Sequence, residues 1–252
     1  YNVEYSDDCD ASNNWRCTWY SAYEKTSNSK NAQESINVPS APCTAATLTC
    51  AATSQIFKYS ETNKRFEIFQ TLSTTGANKF ESFTLADGKD MLAVAFFGAG
   101  GSYSTNSKIF KYNTNTNQYE FFQDIATKGA VDLEAFRLGD RQMLAVSNYQ
   151  VGPTNFSPKS IVLEYNSISN SFEKTFEISS TGARHFESFS ILDHWFLILT
   201  NRGNNLRVPA ATIYDVTTLR FDANNSGVLP TKLLVHSSGV GDNVARVRYI
   251  VA

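Results

Sequence analysis

The chain has 252 residues, 42% of them hydrophobic, 13% aromatic and 18% charged, with a formal net charge of −2. That is ample apolar material for one large domain or two small ones. Near-neutral charge argues against a general polyanion binder such as a nucleic-acid protein, and no run of 18 apolar residues reads as a membrane span. Tyr1–Tyr5 lacks the basic start and apolar stretch of a signal peptide, so a secreted form would begin here already processed.

The first segment, residues 1–53, holds all four cysteines: Cys9, Cys17, Cys43 and Cys50. An even, clustered set in a segment poor in hydrophobic runs predicts two local disulfides, with three pairings open, and hence an oxidising compartment. The alternative, a four-thiolate zinc site, lacks the short Cys-x2–4-Cys knuckles such sites use. Trp15, Trp19 and Tyr20 would pack a small core against these bridges. Two sequons, at Asn155 and Asn224, are candidate glycosylation sites, the first weakened by the following Pro158.

From residue 54 to 252 the chain repeats itself. Tyr59, Tyr112 and Tyr165 recur every 53 residues, and the same step relates Phe66, Tyr119 and Phe172, then Gly76, Gly129 and Gly182, then Glu81, Glu134 and Glu187. A weaker fourth copy starts at Thr212 and ends in Arg248–Val251. Each copy reads as four short strands, exemplified by Phe83–Leu85, Met91–Phe97, Ile109–Tyr112 and Tyr119–Ile125. Met91–Phe97 is nearly all apolar, as a strand buried on both faces requires, whereas the third strand alternates. Asn- and Ser-rich turns such as Asn113–Asn117 separate the last two strands, because these residues tolerate left-handed backbone. A four-stranded unit of about fifty residues predicts an all-β fold, a β-propeller with one blade per repeat.

The string Gln70…Thr75-Gly-Ala77…Phe80-Glu-Ser-Phe83…Leu92-Ala-Val94 resembles the EPTP, or EAR, repeat of epitempin and related extracellular proteins. It recurs as Gln123…Lys128-Gly-Ala130…Leu133-Glu-Ala-Phe136…Leu144-Ala-Val146, and again from Thr181-Gly-Ala183 to Asn201. The resemblance implies a secreted, non-enzymatic binding module on a propeller, usually of seven blades. Seven units of this length do not fit 252 residues. Four or five blades are expected instead, with Val244–Val251 completing a blade begun by Ile56–Tyr59 and Phe66–Leu72; closure of this kind removes exposed strand edges. The abrupt apolar end Tyr249–Ala252 also suits a piece of a larger ring.

Glu81, Glu134 and Glu187 should head the innermost strands beside the axis, joined by Asp132. The plainer expectation is that each carboxylate accepts backbone N–H bonds or an ion pair from the neighbouring blade. The sharper one is an oxygen ring holding a cation, most plausibly calcium, as in some propellers of the resembled family. Lys79 and His185 occupy the slot of Asp132 in the flanking copies and would bring positive charge there. No Gly-x-Ser-x-Gly elbow, His-Glu-x-x-His pair or phosphate loop is present, so no enzyme is expected.

The longest and most varied loops, 97–106, 149–159 and 202–209, join the second and third strands, where a propeller normally binds. Their candidate binding residues are Tyr103, Asn148, Tyr149, Asn155, Phe156, Asn201, Arg202, Asn204 and Asn205. The expected partner is an extracellular protein, or alternatively a glycan bound by a multivalent lectin, and association into homo-oligomers stays open. A lectin should repeat its ligand-facing residues. Asn148 and Asn201 do repeat, but Phe96 stands at that place in the first copy.

Overall fold

The computed structural model describes residues 51–98, 101–203, 210–217 and 231–237. The cysteines, Trp15, Trp19, Tyr20, Asn204, Asn205, Asn224 and the expected closing strand at Val244–Val251 lie outside these residues. The described part is all-β, with no helix. Fourteen strands run in order: β1 (Ala51–Ser60), β2 (Arg65–Thr75), β3 (Ala77–Thr84), β4 (Asp90–Phe96), β5 (Asn106–Asn113), β6 (Gln118–Ala126), β7 (Ala130–Leu138), β8 (Arg141–Asn148), β9 (Ser160–Asn166), β10 (Ser171–Ile178), β11 (Ala183–Ile191), β12 (His194–Asn201), β13 (Ala210–Asp215) and β14 (Thr231–Ser237). Three consecutive antiparallel sheets, β3–β6, β7–β10 and β11–β14, each contain four strands in chain order. β1 and β2 form a two-stranded sheet; their register matches the third and fourth strands of the others.

The first strand of each unit is longer than the sequence suggests. Phe83–Leu85 marks only the tail of β3, and Leu85 itself lies in the turn. The reason is physical: β3 alternates partly buried and exposed residues along its whole length, so it lacks the apolar run that flags β4. β1 begins at Ala51, inside the segment set apart by its cysteines.

The 53-residue period governs detail as well as strand order. A bulge follows Ala77, Ala130 and Ala183 at the head of each first strand. A second bulge interrupts the outer pair at Ile56/Phe57, Ile109/Phe110 and Lys174/Phe176. Lys64, Asn117 and Asn170 take positive φ in equivalent outer turns, where Asn side chains tolerate the left-handed region best. The hydroxyls of Tyr112 and Tyr165 donate to the side-chain oxygens of Asn117 and Asn170. The second and third of these turns are therefore braced by the same tyrosines that mark the repeat.

Two main cores lie between successive sheets. Met91, Ala93 and Ile109 of one sheet meet Leu133, Leu144, Val146, Leu163 and Phe172 of the next. Phe136, Met143, Ala145, Val162 and Phe176 then meet Phe186, Leu197 and Leu199. The middle strands are thus covered on both faces, which accounts for their unbroken apolar sequence. Burying a side chain of this size stabilises by roughly 1.5–3 kcal/mol.

Candidate functional site

The first strands of the three sheets, β3, β7 and β11, lie side by side and carry six charged or titratable groups in two tiers. In the upper tier stand Lys79, Asp132 and His185, at equivalent positions of successive copies. Asp132 is buried and pairs both ways: its Oδ1 lies 3.6 Å from Lys79 Nζ and its Oδ2 lies 2.9 Å from His185 Nδ1. The same Oδ2 accepts the backbone N–H of Phe186 at 2.8 Å. His185 Nε2 faces Glu187 Oε2 at 3.2 Å.

The lower tier holds the repeated glutamates. Glu134 Oε1 accepts the N–H of Ser188 at 3.0 Å and its hydroxyl at 2.6 Å. Glu81 Oε1 accepts the N–H of Ala135 at 3.5 Å, and Lys79 Nζ lies 3.7 Å from Glu81 Oε2. Each carboxylate therefore reaches across to the next first strand, at the same step in both places. Burial pushes the Glu134 carboxyl up to about 7 against its bonds from Ser188, with repulsion from Glu187 and Glu81 adding to the rise. Glu81 is raised too, chiefly by burial. Burial opposes charge on His185, but its hydrogen bonds to Asp132 and Glu187 and their negative charge prevail and push it up to about 9.

This is a network of opposed charges and backbone amides. Among the described residues no three His, Cys, Asp or Glu side chains are placed to hold a metal ion. The Asp132 oxygens serve Lys79, His185 and Phe186, and Glu81 and Glu134 serve amides, so no role for calcium follows from them. Both nitrogens of His185 face carboxylates, which leaves neither poised for a substrate.

The glycine-marked edge forms the second candidate site. Gly76, Gly129 and Gly182 have φ of 69°, 55° and 61°. Their carbonyls accept the N–H groups of Phe97, Tyr149 and Arg202, which fixes the root of each long loop. Loop carbonyls then cross to the following unit: Gly129 N–H donates to Tyr103 at 2.6 Å and Gly182 N–H to Phe156 at 2.5 Å. The loops thus act as inter-sheet fasteners.

The structure separates the candidate binding residues. Asn148 is 3% exposed; its Oδ1 accepts the N–H of Lys128 and its Nδ2 donates to the carbonyl of Lys159. Tyr149 and Phe156 are also buried, in a small cluster with Val131 and Phe97. Asn201 Oδ1 accepts the N–H of Thr181, the same bond that Asn148 makes one copy earlier. Tyr103 is half-buried against Phe97, while Asn155 and Arg202 are exposed. Asn155 Oδ1 accepts the N–H of Ser157 inside its sequon.

Sequence reasoning missed the role of the repeated glutamines. Gln70 Nε2 donates to the carbonyl of Tyr119 while its Oε1 accepts that residue's N–H, both at 2.8 Å. Gln123 does the same to Phe172. Their place in the repeat was the available signal. In the third copy Phe176 stands there, and a hydrophobic contact replaces the polar fastener.

The geometry defines a class: tandem four-stranded sheets packed face to face and fastened by recurring glycines, glutamates and glutamines, the last replaced by Phe176 in the third copy. Residues 118–166, which span β6–β9, and residues 171–207, which take in β10–β12, match the EPTP domain family, so each match starts on the last strand of one sheet and runs into the next. A protein of Homo sapiens described as thrombospondin-type laminin G domain and EAR repeat-containing protein is 31% identical over 171 residues, and its Mus musculus counterpart is 32% identical over the same length. Each alignment covers 68% of this chain and 25% of the relative, so the chain spans about a quarter of those proteins' length. The chain belongs to the EPTP/EAR repeat family.

Proposed function

We propose that the chain forms a secreted, non-enzymatic β-propeller, or part of one, that recognises an extracellular protein through its glycine-edge loops. The observation that carries this reading is the constant inter-sheet relation: Glu81 reaches Ala135 as Glu134 reaches Ser188, a placement that successive blades about an axis would have. Family membership supports the extracellular setting, and no helix among the described residues is long and apolar enough to cross a membrane. Loops pinned at their roots by the repeated glycines present their exposed residues, Asn155 and Arg202 with the half-buried Tyr103, at low entropic cost on binding.

A panel of extracellular ectodomains probed with the multimerised chain tests it. The expected result is a defined ectodomain bound reproducibly, weakened by Arg202→Glu or Tyr103→Ala without loss of the thermal transition. Release by free monosaccharide would replace the protein partner with a lectin activity. Silence across the panel overturns the proposal.

A further inference from the structure

A near-neutral net charge conceals a local group of unmatched cations. Along the glycine edge stand Lys128, Arg184 and Arg202, all exposed and in no ion pair with another described residue. They lie on one connected stretch: Lys128 precedes Gly129, whose carbonyl holds Tyr149; Arg184 sits 5.5 Å from the centre of the Tyr149 ring; and Arg202 is held by Gly182. From Lys128 an open groove of about 680 Å³ runs outward between β6 and the β8–β9 loop. Lys159 and Lys174 line it and share a single carboxylate, Glu177, at 2.9 and 2.8 Å. The exposed Asp124 is its other acid and is already matched by Lys108 at 2.8 Å. At the opposite edge the cations are matched instead: Lys64 pairs with Glu61, Arg65 with Glu67, Lys89 with Asp87 and Arg141 with Glu164.

We infer that this groove, continued over the Arg184–Arg202 rim, is a binding site for a linear sulfated polysaccharide. Positive charge exceeds negative along it, and sulfate groups on a polymer would meet the cations in succession. A protein partner is disfavoured there, because Ile161, Leu163 and Phe172 of the floor are buried and no exposed large apolar side chain lines the walls. Protein interfaces draw their energy from such anchors. An extended polyanion needs only spaced ionic contacts, strengthened where a guanidinium is held over an aromatic ring. The site shares Asn155 and the Arg202 rim with the loops proposed for protein recognition, but its test rests on Lys128 and Lys159, which that proposal does not name.

The test is binding of the full chain to an immobilised heparin dodecasaccharide at 0.15 M NaCl, with dextran and polyglutamate of matched charge as comparisons. Heparin should bind, dextran should not, and polyglutamate should bind at least about tenfold more weakly. The double variant Lys128→Gln/Lys159→Gln should lose roughly tenfold in affinity, since each removes one surface ionic contact. Lys64→Gln/Lys89→Gln on the opposite edge should lose nothing, with thermal unfolding confirming that both variants fold. Absence of heparin binding, equal binding by the groove variant, or polyglutamate binding as tightly as heparin would overturn the assignment. The ectodomain panel is read separately, so either proposal can fail alone.

Discussion

Gln123 holds both backbone groups of Phe172: the side-chain Nε2 donates to the Phe172 carbonyl at 2.8 Å and Oε1 accepts the Phe172 N–H at 2.7 Å. β10 is the last strand of its sheet, so at this residue the amide side chain takes the part of a partner strand. Replacing it removes two partly buried hydrogen bonds and leaves both backbone groups without a protein partner. Gln123→Leu should destabilise by about 2–3 kcal/mol, read from the urea midpoint, because each orphaned group costs about 1–3 kcal/mol. Gln123→Glu should not rescue fully at pH 8, since a carboxylate cannot donate to the carbonyl.

The glycines of the repeat divide into two kinds. A Cβ on Gly129 would fall 2.6 Å from the backbone oxygen of Gln150, at a φ of +55°. At Gly139, φ is +63° but nothing lies within 4 Å. Gly139→Ala should cost about 1 kcal/mol, the conformational penalty alone. Gly129→Ala adds a clash with main chain that cannot swing away, and should exceed about 3 kcal/mol. Equal losses at the two sites would show that loop attachment through Gly129 contributes nothing.

Much of this was legible in the sequence because the recurring residues stand where geometry leaves little choice. Gly76, Gly129 and Gly182 repeat because a Cβ would strike the neighbouring backbone, and the glutamates repeat because an amide of the next strand faces each of those seen to bond. Sheet order and strand phase followed from these marks. The half-exposed first strands are longer than their sequence signals, since alternation in a stretch as polar as Asn78-Lys-Phe-Glu-Ser82 carries little hydrophobic signal. The sequence puts Asn148 among the loop-tip ligands because its residue type suits one. Its amide is instead consumed by Lys128 and Lys159, a fact that depends on two loops meeting. The basic groove left no mark because Lys128, Lys159 and Lys174 do not recur.

Stability should fall as the solution becomes alkaline. Glu134 titrates at about 7 in the fold, against an ordinary value of 4.5. The folded state therefore binds this proton more tightly, and the advantage fades as pH rises from about 4.5 to about 7. His185, raised from 6.5 to about 9, contributes stability that is complete below 6.5 and is lost as pH rises through 9. Glu177, lowered to about 2 by its two lysines, acts oppositely, but only below 4.5. The urea midpoint should peak near pH 5 and decline towards pH 9. Glu134→Gln should shrink the part of the decline below pH 7, leaving the contribution of the raised Glu81, and keep the part above it. An unchanged profile in that variant would show that Glu134 does not hold its proton through the acidic range.

Leu192 offers a stabilising change with no contact to repair. It is 91% exposed and sits at φ +53° in the two-residue turn between Ile191 and His194, where the preceding copy has Gly139. A left-handed conformation costs a residue of this kind roughly 1–2 kcal/mol, and Gly forfeits about 0.5–1 kcal/mol of backbone entropy on being fixed. The difference favours glycine, so Leu192→Gly should raise stability by about 0.5 kcal/mol and lift the thermal midpoint by one or two degrees. Leu192→Asn should do nearly as well, because Asn enters this region more readily than a bulky aliphatic residue. Loss of stability in both variants would mean that the exposed leucine is held by a contact beyond the described residues. The heparin measurement would be unaffected by either change, since this turn lies at the edge opposite the groove.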